Sequence, residues 1–356
     1  MKKLLTLIVL LILTASASSQ VKFEKSSLSE VLDKAKSENK IVMVDVLTDW
    51  CKWCIELDNK VYADSEVADF ANANQINFKI DAEKGEGIEF AKKYKVTGYP
   101  TVLFLDGNGN EIDRIYGYYP KKEFFVMMQD YNRGMNTFQD LTQKLEKDPA
   151  NVEANLKMAD KYIALGETDK AKAHLNKIIE TDPGNAAGKT DDAKFKLASL
   201  AQKETVISEL QTFIKDNPES DVLKDACQTL AEYYYGINSD VANADMCYKE
   251  LLAKYQDDEN IRSSYGQYLN SRALNFADKG TGAQEYQEGL KLVDQALPYV
   301  KGSVNEASSY YIQSKLLYNL KDYTNALESV NKALKIFNRK LYRDHKEKIE
   351  KELSNK

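Results

Sequence analysis

The stretch Asp49-Trp-Cys-Lys-Trp-Cys54 places two cysteines three residues apart, directly after a predicted strand. The strand is Ile41–Leu47, a nearly continuous apolar run rich in β-branched residues, which is typical of a strand buried on both faces. A helical pattern follows and continues to about residue 74, with a break near residues 63–65, where Ser65 is predicted to cap a second segment. The two cysteines are therefore predicted at the junction between a buried strand and the first turn of a helix.

This position favours redox chemistry at the two thiols. The backbone N–H groups of a first helical turn stabilise a thiolate, so Cys51 is predicted to have a lowered pKa and to act as the nucleophile. Cys54 lies on the same face and is predicted to be the resolving thiol, which attacks a mixed disulfide formed at Cys51. From the spacing alone, half of a zinc site and a structural disulfide remain open alternatives. A zinc site needs two further ligands, and the only histidines, His174 and His345, lie far along the chain, so no metal is expected.

Strands and helices alternate around the motif from residue 21 to about residue 133. The pattern predicts a short edge strand at 21–25, helices at 26–39, 87–94 and 121–131, strands at 75–80, 101–105 and 111–116, and a hairpin turn at 106–109. In order these elements read βαβαβαββα, which predicts an α/β sheet of mixed direction covered by helices.

Four landmarks in this region resemble the thioredoxin family. The string Trp50-Cys-Lys-Trp-Cys54 matches the family's Trp-Cys-x-x-Cys motif, and Asp45, six residues before Cys51, occupies the position of its buried acid. Tyr99-Pro100-Thr101 matches the family's cis-proline segment, and Val96–Leu105 matches the run that leads through that proline into the next strand. The chain is thus similar to a thioredoxin-like protein over this whole region.

The resemblance implies an activity and a set of site residues. A site of this kind is a thiol–disulfide oxidoreductase, in which Cys51 and Cys54 form the redox disulfide and Asp45 accepts and returns the proton of the resolving thiol. No bound cofactor is implied. The resemblance also implies substrate contacts at Trp50, Tyr99 and Pro100.

The sequence departs from thioredoxin itself at several positions. Lys52-Trp53 stands between the cysteines in place of Gly-Pro, so the redox potential does not follow from the resemblance; the charge of Lys52 would modestly favour the neighbouring thiolate. Asn77 lies where a lysine often accompanies the buried acid. Segments 60–74 and 81–87 look more like the secreted thioredoxin-like domains related to the terminal domain of thiol:disulfide interchange proteins.

The N-terminus has the order of a secretory signal peptide at residues 1–19: two lysines, an apolar run from Leu4 to Leu13, and small residues that include Ala15-Ser-Ala17. We expect cleavage between Ala17 and Gln20. The apolar run is too short to span a bilayer, and no later run approaches about 18 apolar residues, so we expect no membrane span in the mature chain. The expected location is the periplasm of a bacterium with two membranes, where a disulfide persists.

Composition indicates a folded, helix-rich chain. The 356 residues are 43% hydrophobic and 29% charged, and the net charge of −6 offers no basic face for nucleic acid. The length fits two domains. We predict a thioredoxin-like domain at 20–135 and an all-α, tetratricopeptide-like helical repeat domain at 136–356.

A period of about 34 residues in the second region is typical of helix-turn-helix tetratricopeptide units. The clearest unit spans residues 152–185, with Gly166 at its turn and Pro183 as its terminator. A second good unit begins near Ala307, and looser units are predicted at 191–218, 222–255 and 261–300. The region resembles a tetratricopeptide-like α-solenoid of about five helical hairpins, whose concave surface is expected to recruit a peptide or protein.

Two further cysteines, Cys227 and Cys247, fall on the two helices of one predicted repeat unit, near facing positions. In an oxidising compartment they are candidates for a structural disulfide, and two buried reduced thiols are the alternative. Neither lies at a predicted helix start, so we expect no second redox centre there.

The leading functional prediction is a secreted thiol–disulfide oxidoreductase that reduces or exchanges disulfides in client proteins. No nicotinamide or flavin motif is present, so electrons in the reducing direction would come from a membrane thiol donor. One alternative is a non-catalytic protein-binding scaffold in which the thioredoxin fold is a docking module. A disulfide oxidase or isomerase is another, and it uses the same residues.

Overall fold

The computed structural model describes residues 20–355, so the predicted signal peptide at 1–19 lies outside the described residues. Two compact units divide the described chain: one holds residues up to 47 together with 56–133, and the other holds residues 48–55 together with 134 onwards. Residues 48–55 connect a strand and a helix of the first region and are described with it. Within the range that the structure describes, no helix is long and apolar enough to cross a membrane.

The first region alternates helices and strands around a sheet. Its elements are α1 (Leu28–Glu38), β1 (Ile41–Leu47), α2 (Lys52–Leu57), a π-helical turn (Asp58–Tyr62), α3 (Ser65–Asn74), β2 (Gln75–Asp81), α4 (Gly87–Lys93), β3 (Thr101–Leu105), β4 (Glu111–Tyr116) and α5 (Lys121–Asn132).

The four strands form one sheet in the order β2-β1-β3-β4. Strand β1 runs parallel to β2, from Ile41 opposite Gln75 to Leu47 opposite Asp81. It runs antiparallel to β3, and β3 runs antiparallel to β4. The predicted α/β sheet of mixed direction is confirmed, with β1 as a central strand that is hydrogen-bonded on both sides.

Strand β1 separates two apolar cores, one on each face of the sheet. Met43 belongs to a core that contains Tyr62 and Phe104, whereas Val44 belongs to the core on the opposite face. Side chains alternate between faces along a strand, so Asp45 lies on the same face as Met43. The buried strand that the apolar run predicted is therefore present, and it carries one acid into the core.

The second region contains only helices among its described residues. They are α6 (Phe138–Lys147), α7 (Val152–Ala164), α8 (Thr168–Thr181), α9 (Thr190–Ser199), α10 (Val206–Asp216), α11 (Leu223–Asn238), α12 (Val241–Lys254), α13 (Glu259–Lys279), α14 (Ala283–Val300), α15 (Val304–Asn319), α16 (Tyr323–Ile336) and α17 (Lys340–Ser354).

Helices α7 to α16 pair as five consecutive hairpins, in agreement with the predicted repeat pattern. Ala159 and Ala171, at the offsets where these repeats place small residues, are fully buried in the first hairpin. The pair α13 and α14 is elongated, with 21 and 18 residues. This matches the longer unit predicted at 261–300.

Two local predictions in the first region are wrong. Asp64 caps helix α3, not Ser65, because the Asp64 carboxylate accepts the backbone N–H groups of Glu66 and Val67. The edge strand predicted at 21–25 is reduced to a single bridge between Glu24 and Phe78.

Cys227 and Cys247 are free thiols, so the candidate disulfide between them is not formed. Both thiols are half-buried, and burial raises the pKa of each. Each therefore stays protonated at neutral pH, whereas disulfide formation requires a thiolate.

Candidate active site

Cys51 and Cys54 are joined by a disulfide, with their Cα atoms 5.3 Å apart. The Cys51 N–H donates to the carbonyl of Thr48 at 3.1 Å, which forms a tight turn between β1 and α2. The backbone N–H of Cys54 donates to the Cys51 sulfur at 3.0 Å. A donor in this position favours negative charge on that sulfur, as a nucleophilic thiolate requires.

The Tyr99–Pro100 peptide bond is cis. Thr101, the next residue, pairs with Val46 near the carboxyl end of β1, so the proline segment lies at the sheet edge from which the cysteine turn departs. The Pro100 carbonyl accepts the N–H of Gly117 at 2.8 Å. Hydrogen bonding on both sides of the segment holds the proline at this edge of the sheet.

Gly98 allows this segment to pass close to β4. A Cβ atom at Gly98 would lie 2.3 Å from the Tyr116 hydroxyl, so a larger side chain would displace either the tyrosine or the backbone. The Thr101 hydroxyl donates to the Gly98 carbonyl at 2.8 Å and holds the same turn.

Asp45 is fully buried, and the Lys79 ammonium lies 3.0 Å from its Oδ2 atom. Neither carboxylate oxygen accepts a well-aligned hydrogen bond from any described residue. Burial raises the pKa of Asp45 to about 6, an effect that Lys79 opposes by favouring the ionised form. A carboxyl group with this pKa accepts and releases a proton near neutral pH, which a proton-transfer residue must do.

Lys79 was missed by the sequence analysis, which considered Asn77 for the lysine position. The register of β1 and β2 places Lys79 opposite Asp45 and Asn77 opposite Met43. The Asn77 side chain instead donates to the carbonyl of Lys22 at 3.2 Å. Side chains alternate between the faces of a strand, so Asn77 and Lys79 lie on the same face of β2. The alternation therefore allowed either residue to be the partner of Asp45.

The remaining predicted contact residues differ in exposure. Trp50 is 50% exposed beside the cysteines. Tyr99 is half-buried, and burial, aided by the charges of Glu83 and Asp81, raises the pKa of Tyr99. The Lys52 ammonium lies 4.9 Å from the centre of the Trp53 ring, a cation–π contact between the two residues that separate the cysteines.

Comparison with known proteins identifies the two regions of the chain separately. A model described as "Thioredoxin-like domain" matches residues 28–132. The first region is a thioredoxin-like domain. Two tetratricopeptide repeat models match residues 128–190 and 307–339, and the thioredoxin-like domain is thus followed by tetratricopeptide repeats, as predicted.

The thioredoxin-like domain also matches individual proteins. Over 99 residues the chain is 33% identical to the thiol:disulfide interchange protein DsbD of Yersinia pestis, an alignment that covers 27% of this chain and 17% of that protein. The chain thus spans less than a fifth of the length of that curated relative.

Two solved structures are similar to parts of the chain. A candidate disulphide-isomerase from Bacteroides thetaiotaomicron is 38% identical, with a TM-score of 0.30, and the match covers 32% of this chain and 94% of that one. The type IV pilus biogenesis factor PilW is 15% identical, with a TM-score of 0.45, over 64% of this chain and 94% of that one.

Proposed function

We propose that the protein is a secreted thiol–disulfide oxidoreductase acting on disulfides of client proteins. The observation that carries the proposal is the Cys51–Cys54 disulfide placed directly after a strand whose buried Asp45 has its pKa raised to about 6. A structural disulfide has no need of a proton acceptor in the strand before it.

In the reducing direction the Cys51 thiolate attacks one sulfur of a client disulfide. A bond forms between Cys51 and the client, and the second client sulfur leaves as a thiolate that takes up a proton. Cys54 then passes its proton to Asp45 and attacks the Cys51 sulfur. The bond between Cys51 and the client breaks, and this client sulfur also leaves as a thiolate that takes up a proton. The products are the Cys51–Cys54 disulfide and a client dithiol, so two electrons have moved from the protein to the client.

The cis-proline segment supports a role in holding the client. In this proposal Tyr99 and Pro100 line the groove beside the cysteines, and exposed Trp50 covers the client chain. A membrane thiol donor would return the electrons, and the repeats would recruit the client or another partner protein. The predicted signal peptide supports a periplasmic location, which N-terminal sequencing of the exported protein tests.

Replacing Cys51 with Ser tests the activity. The assay is the reduction of insulin by dithiothreitol, which we expect the full mature chain to accelerate. The acceleration by Cys51→Ser should be smaller by a factor of about 100 or more, because the nucleophile is gone. Cys227→Ser is the matched control, since it makes the same change at a free, half-buried thiol. Full activity in Cys51→Ser would contradict the proposal, and a wild-type chain that does not accelerate the reaction would favour the scaffold alternative.

The direction of electron flow is tested by equilibrating the Cys51/Cys54 pair with glutathione. A reduction potential of about −270 mV supports a reductant, whereas one of about −120 mV supports the oxidase alternative.

A further inference from the structure

Lys79 is the ion-pair partner of two carboxylates on different elements. Its ammonium lies 3.0 Å from Asp45 in β1 and also contacts Asp58 in the π-helical turn. The side chain of Asp45 is 0% exposed and that of Asp58 is 42% exposed. A single positive charge is therefore divided between an acid in the core and an acid near the surface.

Aromatic rings restrict where this ammonium can lie. The Lys79 nitrogen is 4.6 Å from the centre of the Phe23 ring and 5.1 Å from that of the Tyr62 ring. Cation–π attraction to both rings holds the charge between the carboxylates. The Lys79 ammonium thus contacts four side chains at once, two carboxylates and two aromatic rings.

The π-helical turn gives Asp58 this position. The turn spans Asp58–Tyr62, and both its first and its last residue contact the Lys79 ammonium. Turns of this type are rare interruptions of α-helices and occur frequently at functional sites. A regular α-helix through these residues would rotate Asp58 relative to Tyr62.

We propose that Asp58 is a positioning residue for the thiol exchange: it draws part of the Lys79 charge away from Asp45 and so keeps Asp45 a stronger proton acceptor for Cys54. The inference rests on the proposed function and adds to it a residue that touches neither cysteine nor client. It also assigns a purpose to the π-helical turn.

The electrostatics around Asp45 give the direction of the effect. Burial has the largest effect on the pKa of Asp45 and raises it. Of the two neighbouring charges, that of Lys79 lowers this pKa and that of Asp58 raises it. The hydroxyl of Tyr62 stays neutral because burial raises the pKa of Tyr62. Burial opposes the charge on Lys79, but the two carboxylates raise the pKa of Lys79, which remains positive.

Removing Asp58 therefore acts on Asp45 in two ways with the same sign. A like charge disappears, and Lys79 is released to neutralise Asp45 alone. Both changes lower the pKa of Asp45, which makes it a weaker base.

The test uses the full mature chain with Asp58→Asn and reads the pKa of Asp45 directly, by NMR titration of 13C-labelled aspartate carboxyls. We expect that pKa to fall by about one unit. In the insulin assay, the acidic limb of the pH profile should shift to lower pH by a similar amount. We compare the rate at pH 5 with the plateau rate of the same protein. This ratio should be about fivefold higher for Asp58→Asn than for wild type.

Lys79→Met is the opposing variant. It removes the attractive charge, so we expect the pKa of Asp45 and the acidic limb to rise. Damage to the fold would move both variants in the same direction, whereas the proposal requires opposite directions. Asp69→Asn, a loss of the same charge at an exposed position of α3, is the matched control and should leave both readouts unchanged.

The outcomes separate this inference from the proposed function. If wild type reduces no disulfide, the proposed function fails, and the NMR titration still decides whether Asp58 controls Asp45. If wild type is active and Asp58→Asn leaves the pKa of Asp45 and the pH profile unchanged, the inference is overturned. A return to wild-type values in Asp58→Glu, which restores the carboxylate, would support it further.

Discussion

In the thioredoxin-like domain the buried Asp45 carboxylate has an ion-pair contact with Lys79 but accepts no well-aligned hydrogen bond from any described residue. In the repeat domain the buried Asn270 amide donates to the Ser309 hydroxyl at 2.7 Å. The same contrast separates their neighbours. The Tyr62 hydroxyl beside Asp45 lacks a described hydrogen-bond partner, but the buried Ser314 hydroxyl donates to the Ala326 carbonyl at 2.7 Å. Arg339, whose Nε atom has no described partner, is the exception in the repeat domain.

This is the difference expected between a group that exchanges a proton, as proposed for Asp45, and groups that only stabilise the fold, such as Asn270 and Ser314. A buried polar group with a full set of hydrogen bonds is stabilised in one protonation state. A buried carboxylate with a single ion-pair contact has its two protonation states closer in energy at neutral pH, and such groups are concentrated at functional sites. The following experiments test that contrast.

Asp45→Asn should cause the largest change. The amide cannot accept the proton of Cys54, so we expect thiol exchange at pH 7 to fall about 100-fold. The measurement is the insulin assay with the full mature chain. Ser309→Ala, which removes a buried polar group from the repeat domain, should leave the rate unchanged; equal losses in both variants would remove the distinction between the domains.

Asp45→Asn should also stabilise the thioredoxin-like domain, to an extent that depends on pH. Burial raises the pKa of Asp45 from 3.8 to about 6, so the folded state binds this proton more tightly than the unfolded state. Wild type therefore loses stability relative to Asp45→Asn as the pH rises from about 3.8 to about 6, and the difference stays constant at higher pH. We expect the stability advantage of Asp45→Asn to grow by about 2 kcal/mol between pH 4 and pH 7.

Tryptophan fluorescence reports on the segment of the motif, because the only two tryptophans of the chain are Trp50, directly before Cys51, and Trp53, directly before Cys54. Urea unfolding followed by tryptophan emission at several pH values gives the comparison. A constant difference between the two proteins across this range would mean that Asp45 has an ordinary pKa.

Ser309→Ala should destabilise the repeat domain instead. The substitution leaves the buried Asn270 amide without its 2.7 Å acceptor, at a cost of about 1 to 2 kcal/mol. Thermal unfolding followed by circular dichroism at 222 nm measures the loss. Ser271→Ala, at an exposed position of α13 beside Asn270, is the control and should change stability by less than about 0.5 kcal/mol.

His345 should give the smallest effect. Its Nε2 lies 3.1 Å from the Ser314 hydroxyl, and burial lowers the pKa of His345 to about 4. The stability contributed by the neutral ring is complete above about pH 6.5 and is lost as the pH falls toward 4. After allowance for partial exposure we expect a loss of roughly 1 kcal/mol. Melting temperatures between pH 7 and pH 4.5 should fall less in His345→Gln than in wild type.

The sequence predicted those features that depend on local pattern. The β-branched run of β1 and the two cysteines after it identified the strand and the turn, and small residues such as Ala159 at the expected offsets identified the repeat hairpins. Features set by tertiary register were missed. Lys79 meets Asp45 only because Ile41 aligns with Gln75 across two strands that are distant in the chain.

Local competition explains the other errors. Asp64 and Ser65 are adjacent, and both are good capping residues, so the pattern could not decide which would cap α3. The contact of Asp58 with Lys79 could not be predicted from the sequence. It depends on a π-helical turn, and a turn of five residues is too short to show a distinct hydrophobic period.

The central place of β1 in the sheet has a consequence for motion. Its backbone is hydrogen-bonded to β2 on one side and to β3 on the other, so its amides should exchange with solvent only when the whole domain unfolds. In the proposed function, the acid that gains and loses a proton thus lies on a strand that is among the last to open. Proton transfer to and from Asp45 is then expected to take place in the closed structure, at a rate that local opening of the backbone does not set.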